Sequence, residues 1–375
     1  EWGKVKTLPC PACAAVDDSQ PFNVVIVGSD SRVGDSAAET KSFGSVSQVG
    51  GQRSDTIKIL HVNPAAGTAQ LLSIPRDTYV QLTGLPASAG LATDNKINSA
   101  FNNGPNPLVE TLQDTFGIPI QHFVVIDFND EVNLVNSVAG INLNFPYPVR
   151  DYDEQTGTNN SGLDITNTGC QTLNGTEALA LSRSRYYQYY EDGYWQQDPS
   201  SDIGRIERQN IIIESVIDKA KSLYNPLKLN SFLSTVVRDV EIDQQMSFGT
   251  MFSLAERYHA FSGSKLTTYT LPTVSEQTSG GSDVQVVEEP QAQQMISQFL
   301  GTQPQTVTTP PIDQYGNAIP VPTSTGSSGS STGSSGSGSS GSSGSSSSSG
   351  AAGSSSSSSG GVTANSVPPF DPTPC

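Results

Sequence analysis

The sequence predicts an α/β fold. Short β-branched runs bounded by Gly, Pro and Asn alternate with segments of helical spacing. That alternation points to α/β layers around one sheet. The length of 375 residues suits one large domain or two average ones. The part before a Ser/Gly-rich tail holds enough apolar side chains for an ordinary core.

Residues 1–20, punctuated by Pro and Cys, form a connector. Phe22–Val27, Thr56–Val62 and Ala69–Ile74 are strands, with a hairpin turn over Asn63–Gly67 between the last two. Leu108–Phe116 is a helix that stops at Gly117. Phe123–Ile126 is a strand, Asp130–Val138 a short helix ending near Gly140, and Ile141–Phe145 a strand again. Thr176–Leu181 fits a helix, and Ile206–Leu223 a long amphipathic one with Ile212, Val216 and Leu223 near one stripe. Helical patterns cover Pro226–Val237 and Phe248–His259, and Val284–Val287 and Pro290–Leu300 supply a last strand and helix. Residues 21–302 thus make the folded domain. Residues 303–375 form a disordered tail, Pro/Thr-rich and then Ser/Gly-rich from Ser324 to Gly361, and that Ser/Gly stretch has no large apolar side chains to bury in a core. No structure is assigned to the closing Pro-Pro-Phe-Asp-Pro-Thr-Pro-Cys.

The formal net charge is −17, and all 19 Lys and Arg residues lie at or before Lys265. Such a chain lacks the basic surface that nucleic-acid binding needs, so nucleic acid is not an expected partner. It starts at Glu1 rather than Met, and no run approaches the roughly 20 apolar residues of a membrane helix, so a removed signal or anchor upstream is expected. Four cysteines allow three pairings. A zinc site on Cys10 and Cys13 needs two further ligands at suitable spacing, and no second pair provides them. An extracytoplasmic disulfide, with Cys170 a candidate member, is favoured over zinc.

Arginines and aspartates recur between the apolar strands. Gly28-Ser29-Asp30-Ser31-Arg32 follows the first strand, Arg53-Ser54-Asp55-Thr56 opens the next, and Ile74-Pro75-Arg76-Asp77-Thr78 ends a third. Ser182-Arg183-Ser184-Arg185 and Asp202-Ile203-Gly204-Arg205-Ile206-Glu207-Arg208-Gln209 come later. In so acidic a chain this set points to a pocket for a polyanion, with carboxylates at hand for a divalent cation, as a diphosphate requires. Asp30 ends a strand where α/β sheets open their ligand crevice, and Asp55 can approach it. Two carboxylates with phosphate oxygens make a Mg²⁺ shell; the plainer alternative is two turn aspartates capping backbone groups. Pro75 fixes the backbone before Arg76. Arg183 and Arg185 can converge on one anion at a helix end or in extended chain. Arg205 and Arg208 share a face near a helix start, beside Gln209, where free N–H groups also favour anions. Taken singly, each arginine is more simply a surface ion pair; the set favours an anion pocket.

His61, His122 and His259 fall in no metal spacing, and the first two sit in strand patterns as structural histidines. A Ser-His-Asp hydrolase is disfavoured, and neither a Walker A loop nor Gly-x-Gly-x-x-Gly after a strand is present. The aromatic run Tyr186–Trp195 lies between two arginine motifs. It either overhangs the pocket, against sugar rings or a lipid mouth, or is a packed surface loop.

Together these segments resemble the LytR-CpsA-Psr family of bacterial cell-wall glycopolymer ligases. The likeness runs from about Phe22 to Leu300 and rests on Asn23–Arg32, Gly51–Val62, Leu72–Val80, Lys96–Phe101, His122–Val149 and Gly169–Gln209. The resemblance implies a central mixed sheet flanked by helices in three αβα layers, with 21–302 as the catalytic domain. It implies an extracytoplasmic transferase of the cell wall, tethered by an N-terminal membrane anchor. Such an enzyme moves a glycan from a polyprenyl-pyrophosphate carrier to a peptidoglycan hydroxyl, forming a phosphodiester and releasing polyprenyl phosphate. It also implies Mg²⁺ or Mn²⁺ on Asp30 and Asp55. Arg76, Arg183, Arg185 and Arg205 would grip the diphosphate, Lys96 and Gln209 assist, and the prenyl chain lie in an apolar pocket under the sheet. Arg32, Arg53, Asp77 and Arg208 are second-line candidates, and Asp30 or Asp55 a candidate base. Phosphoryl transfer leaves little covalent work to a protein, so a clamp of cations suits it. This chain departs from the pattern by insertions at Val33–Val49 and around Tyr186–Ser201, and by Asp-Thr-Tyr-Val after Arg76, where some members carry a further arginine. Two other functions are open: hydrolysis of the lipid pyrophosphate by the same residues, and a non-catalytic wall-binding spacer, suggested by the low-complexity tail and acidic surface.

Overall fold

The computed structural model describes residues 6–15, 17, 19–29, 54–85, 95–200, 202–221, 240–258, 261–278, 280–302, 307 and 364–375. Strand β1 (Lys6–Leu8) precedes β2 (Phe22–Ser29), β3 (Ser54–Asn63) and β4 (Thr68–Ile74). A 3-10 turn at Ile97–Asn103 leads into α1 (Pro105–Phe116), β5 (His122–Ile126) and α2 (Phe128–Ser137). Then come β6 (Ile141–Phe145), β7 (Val149–Asp151), β8 (Asp164–Ile165), β9 (Gly169–Leu173) and α3 (Gly175–Arg183). The hairpin of β10 (Tyr187–Glu191) and β11 (Tyr194–Gln197) connects to α4 (Asp202–Lys221). β12 (Glu241–Asp243), α5 (Phe248–Arg257), β13 (Thr267–Thr270), β14 (Thr273–Gln277), β15 (Asp283–Val287), α6 (Glu289–Leu300) and β16 (Thr373–Pro374) follow.

Among the described residues the central sheet has seven strands in the order β1-β12-β5-β2-β3-β4-β13. It is mixed: β5 and β2 pair parallel, whereas β2-β3 and β3-β4 are antiparallel. On one face Val25, Val27, Ile57, Ile59, Leu72 and Ile74 pack with Leu108, Val109, Leu112 and Phe116 of α1 and Met295, Ile296 and Phe299 of α6. On the other, Val24 and Val62 pack with Met251 and Leu254 of α5, and Leu71 with Ile213 and Ile217 of α4. Helices α2, α3 and α4 form a further core with β6, β7 and β9. The expected three layers are therefore present, with helices on both faces.

Local chemistry starts and stops these elements. Asp127 and Asp130 form a capping box at the start of α2, and Asn174 and Glu177 another at α3. Gly117 ends α1 in the left-handed region at φ 65°, which a side chain would oppose. Pro105 extends α1 three residues ahead of the expected Leu108, because proline fits the first turn. The Asn63 side chain accepts from Ala66 N–H in the hairpin turn. The helix expected at Pro226–Val237 lies outside the described residues.

Three expectations change. Residues 1–20 are more than a connector, since β1 pairs with β12 and Cys10 is bonded to Cys13. That disulfide also removes the zinc alternative for the pair. Tyr186–Trp195 is the β10–β11 hairpin in a four-stranded sheet, rather than a loop. The chain's end, left without structure above, returns to the domain. Thr373 and Pro374 pair with β6, Cys375 is bonded to Cys170, and the Phe370 ring stacks parallel on Tyr189 at 4.6 Å. A segment of few residues in Pro-rich sequence has no periodicity, so partners 160 or more positions away were not readable from it.

Candidate active site

A cavity of about 790 Å³ lies between the central sheet and helices α2, α3 and α4. One part of its wall is apolar: Ile26 and Ile126 from the sheet, Leu134 and Val135 from α2, and Ile212, Ile213, Val216 and Ile217 from α4. Another part carries Asp55, Arg76, Arg183, Arg185, Arg205 and Gln209. The sequence thus places a polar cluster and an apolar slot in one space, the two surfaces that a lipid-linked anion presents.

Each cation is set by its element. Arg76 follows β4 and Pro75, and its backbone carbonyl accepts from Asn98 N–H at 3.1 Å. Its Nη1 donates to Asp55 Oδ1 at 2.5 Å, and its Nε lies 3.4 Å from Asp77 Oδ2. Burial works against its charge, but Asp55 and Asp77 outweigh that and hold its pKa above the ordinary value. Arg205 lies in the first turn of α4, 6% exposed, 3.4 Å from Asp202. Burial pulls Arg205 down to about 10; Asp202 opposes this, while Arg185 and Arg76 add like-charge repulsion. Guanidinium groups of Arg76 and Arg185 that both repel the buried Arg205 make a site suited to an anion. Among the described residues Arg205 Nε and Gln209 Oε1 are buried without a hydrogen-bond partner, and such atoms are costly unless a ligand meets them.

Arg183 is the last residue of α3, and its guanidinium lies over the Phe128 ring at 4.5 Å. Ser184 ends the helix in extended conformation, so Arg185 projects beside Arg183 into the same cavity. The turn is held from behind by Asp151, 1% exposed. It accepts from Ser184 Oγ at 2.8 Å and from Tyr186 N–H at 2.9 Å. It also accepts from the Asn160 and Ser161 N–H groups.

Two candidates are placed elsewhere. Arg208 does not line the cavity: it is fully buried, with Nη1 on Asp198 at 2.7 Å and on Asp371 at 3.2 Å, and Nη2 donating to Ser184 O. Its offset of three residues turns it about 60° around α4 from Arg205, toward β10, whereas Gln209 at four residues stays with Arg205. Gly204 makes room for that pair, since a Cβ there would lie 2.2 Å from Asp198 Oδ2. Lys96 also stands behind the cavity rather than in its wall, 3.2 Å from Asp77, which it helps hold beside Arg76. Asp30, Arg32, Arg53 and the insertion at Val33–Val49 lie outside the described residues.

The sequence reading missed Asp127, Lys58 and Glu131, which also line the cavity. Lys58 is 1% exposed and donates to Asn210 Oδ1 at 2.6 Å and to Ser73 Oγ at 2.9 Å. Burial, with repulsion from Arg205, lowers it to about 7 against the attraction of Glu131. Burial raises Glu131 to about 7, against a hydrogen bond with Ser182 and the charges of Arg183 and Lys58. A lone lysine between Ile57 and Ile59 in a buried strand was the signal available. Of the two carboxylates expected to hold a divalent cation, Asp55 is the one among the described residues. Asp55 gives one oxygen to Arg76 and faces the cavity, and Mg²⁺ takes one or two carboxylates with phosphate oxygens and water. No cluster of three or more metal-ligating side chains occurs among the described residues.

A family model described as the LytR_cpsA_psr family matches residues 4–299. The chain belongs to the LytR-CpsA-Psr family. A LytR-CpsA-Psr relative in Bacillus subtilis, polyisoprenyl-teichoic acid–peptidoglycan teichoic acid transferase TagV, is 33% identical over 220 residues, 58% of this chain and 51% of that protein. The transferase TagU of Enterococcus faecalis is 31% identical over 249 residues, 66% of this chain and 69% of that one. The chain therefore spans about half the length of the first relative. The crystal structure of Bacillus subtilis TagV matches at a TM-score of 0.57 and 24% identity, over 76% of this chain and 99% of that one, which shows a shared LytR-CpsA-Psr fold. Among the described residues no helix is long and apolar enough to cross a membrane.

Proposed function

We propose that the protein is an extracytoplasmic transferase that moves a glycopolymer from a polyprenyl-pyrophosphate carrier to a sugar hydroxyl of peptidoglycan. One observation carries this: arginines from a strand end, a helix end and a helix start converge in a cavity that also has an apolar stretch of wall from the sheet, α2 and α4. The names of the TagV and TagU relatives support the same substrate classes. The two disulfides suit an oxidising compartment outside the cytoplasm.

In this reading Arg76, Arg183, Arg185 and Arg205 hold the non-bridging diphosphate oxygens, and the isoleucines of α4 line the prenyl slot. The acceptor hydroxyl attacks the glycan-side phosphorus, and the bond from that phosphorus to the bridging oxygen breaks. Polyprenyl phosphate leaves, a phosphodiester forms, and the hydroxyl proton passes to a carboxylate, with Asp30 and Asp55 the candidate bases. The four guanidinium groups meet the charge that spreads over the transferred phosphoryl group. Asp55 with Asp30 would hold Mg²⁺ or Mn²⁺, which when bound neutralises phosphate oxygens.

The test is product analysis by mass spectrometry and ³¹P NMR after incubation with a short-chain polyprenyl-pyrophosphate-linked disaccharide, a peptidoglycan fragment and Mg²⁺. Polyprenyl phosphate with a glycan–peptidoglycan phosphodiester is expected. Free glycan phosphate in place of the phosphodiester would make the protein a hydrolase, and an intact donor would leave a binding or spacer role.

A further inference from the structure

Strand β10 leads away from the arginine cluster, and the alternation of a strand puts Tyr186, Gln188 and Tyr190 on one face. Tyr186 lines the cavity, so that face begins at its mouth. Arg150 lies opposite Gln188 on β7, and Trp195 opposite Tyr190 on β11. The Arg150 guanidinium sits 4.1 Å over the Trp195 ring and 4.4 Å over Tyr152. Tyr190 meets Trp195 edge-on at 5.3 Å and is 40% exposed, and Tyr186 is 38% exposed. Arg150 Nε donates to Gln188 Oε1 at 2.9 Å, and Gln188 Nε2 to Glu154 Oε1 at 3.1 Å. The result is a shelf of planar, interlocked groups that starts beside Arg185.

The shelf is rigid because its back is packed. Tyr187 is fully buried, and Tyr189 stacks on Phe370 and contacts Tyr147. Its charge is unlike that of the cavity. The guanidinium of Arg150 is occupied by two rings and Gln188, and the carboxylate of Glu154 accepts from Gln188 on the same face. A polyanion would meet repulsion here. A neutral sugar chain would find aromatic surface for its C–H faces and the phenol groups of Tyr186 and Tyr190 for its hydroxyl and acetamido groups.

We propose that this face of β7, β10 and β11 is the docking shelf for an uncharged acetamido-sugar strand, which it presents to the arginine cluster as the acceptor. The proposal rests on the transfer reading above, and it assigns the acceptor side of that reaction to Tyr190, Trp195 and Arg150. Tyr190 and Trp195 lie between Arg185 and Arg205 in sequence and Arg150 on the paired β7, and none of the three lines the cavity, so they bind substrate without holding the diphosphate.

The test is calorimetric titration of the full chain with chitohexaose, an uncharged acetamido-sugar hexamer, and separately with inorganic pyrophosphate. Chitohexaose is expected to bind, with affinity falling roughly tenfold or more in Tyr190→Ala and Trp195→Ala and unchanged in Arg76→Ala. Pyrophosphate binding is expected to show the reverse. Tyr190 is exposed, so the Tyr190→Ala protein retains the wild-type melting profile and its loss of binding reports the shelf. Absence of chitohexaose binding at millimolar concentration, or binding that Tyr190→Ala leaves unchanged, overturns the proposal. So does displacement of chitohexaose by poly(glycerol phosphate), which would make the shelf a polyanion site. If pyrophosphate fails to bind while chitohexaose binding responds to Tyr190→Ala, the diphosphate reading falls and the shelf stands.

Discussion

Lys58 holds its amine where a buried strand ordinarily puts a methyl group. Its pKa falls from 10.5 to about 7 through burial first and Arg205 second. The folded state therefore binds this proton less tightly than the unfolded state. Between pH 7 and 10.5 the unfolded chain carries the larger number of protons, so the Lys58 contribution to stability rises with pH across that window. It is fully present above 10.5 and lost as pH falls through 7. Lys58→Met removes the slope: the melting temperature of wild type minus that of the variant should climb with pH over this range. A flat difference would show that the amine stays solvated. Lys58 was legible as an oddity, one lysine between two isoleucines, but its partners Ser73 and Asn210 lie on β4 and α4. Arg183 and Arg185 were legible because two residues of spacing at a helix end leave few alternatives. Arg208 was not, since its ligands Asp198 and Asp371 come from separate segments.

At the level of elements, strands and helices with strong periodicity match expectation within a few residues. β2, β4, β5, β6, α1 and α3 are examples, and each is bounded by a glycine, proline or cap that the sequence displays. Among the elements not foreseen, β1, β13 and β16 are short edge strands held by tertiary pairing rather than by their own propensity. The closing segment joins two of these elements to the site. Asp371 reaches Arg208, Arg208 reaches Ser184, and Ser184 separates Arg183 from Arg185. Asp371→Ala leaves Arg208 buried with one carboxylate partner in place of two. The expected cost is about 1–3 kcal/mol of stability, measured by denaturant unfolding. A change near zero would mean that this ion pair does not hold the C-terminal segment against the domain.

At the scale of the whole molecule, a net charge of −17 surrounds one inward-facing cluster of guanidinium groups. The sheet brings strand ends to that cluster, α4 supplies both Arg205 and the apolar slot, and the hairpin extends the mouth. The fold class was legible in the sequence because layer formation follows from periodicity. The cavity was legible only as a set of motifs, because its shape depends on how far α2, α3 and α4 stand from the sheet. The claim that one cavity holds diphosphate and prenyl chain together is tested most directly at Arg185, which is exposed at the mouth and can be removed without opening the core. The measurement is the affinity of a short-chain prenyl-pyrophosphate disaccharide for wild type and Arg185→Ala by calorimetry. A charge-assisted hydrogen bond contributes about 1.5–3 kcal/mol, so the account predicts affinity roughly 10- to 100-fold weaker in the variant. Equal binding by the two proteins would contradict it.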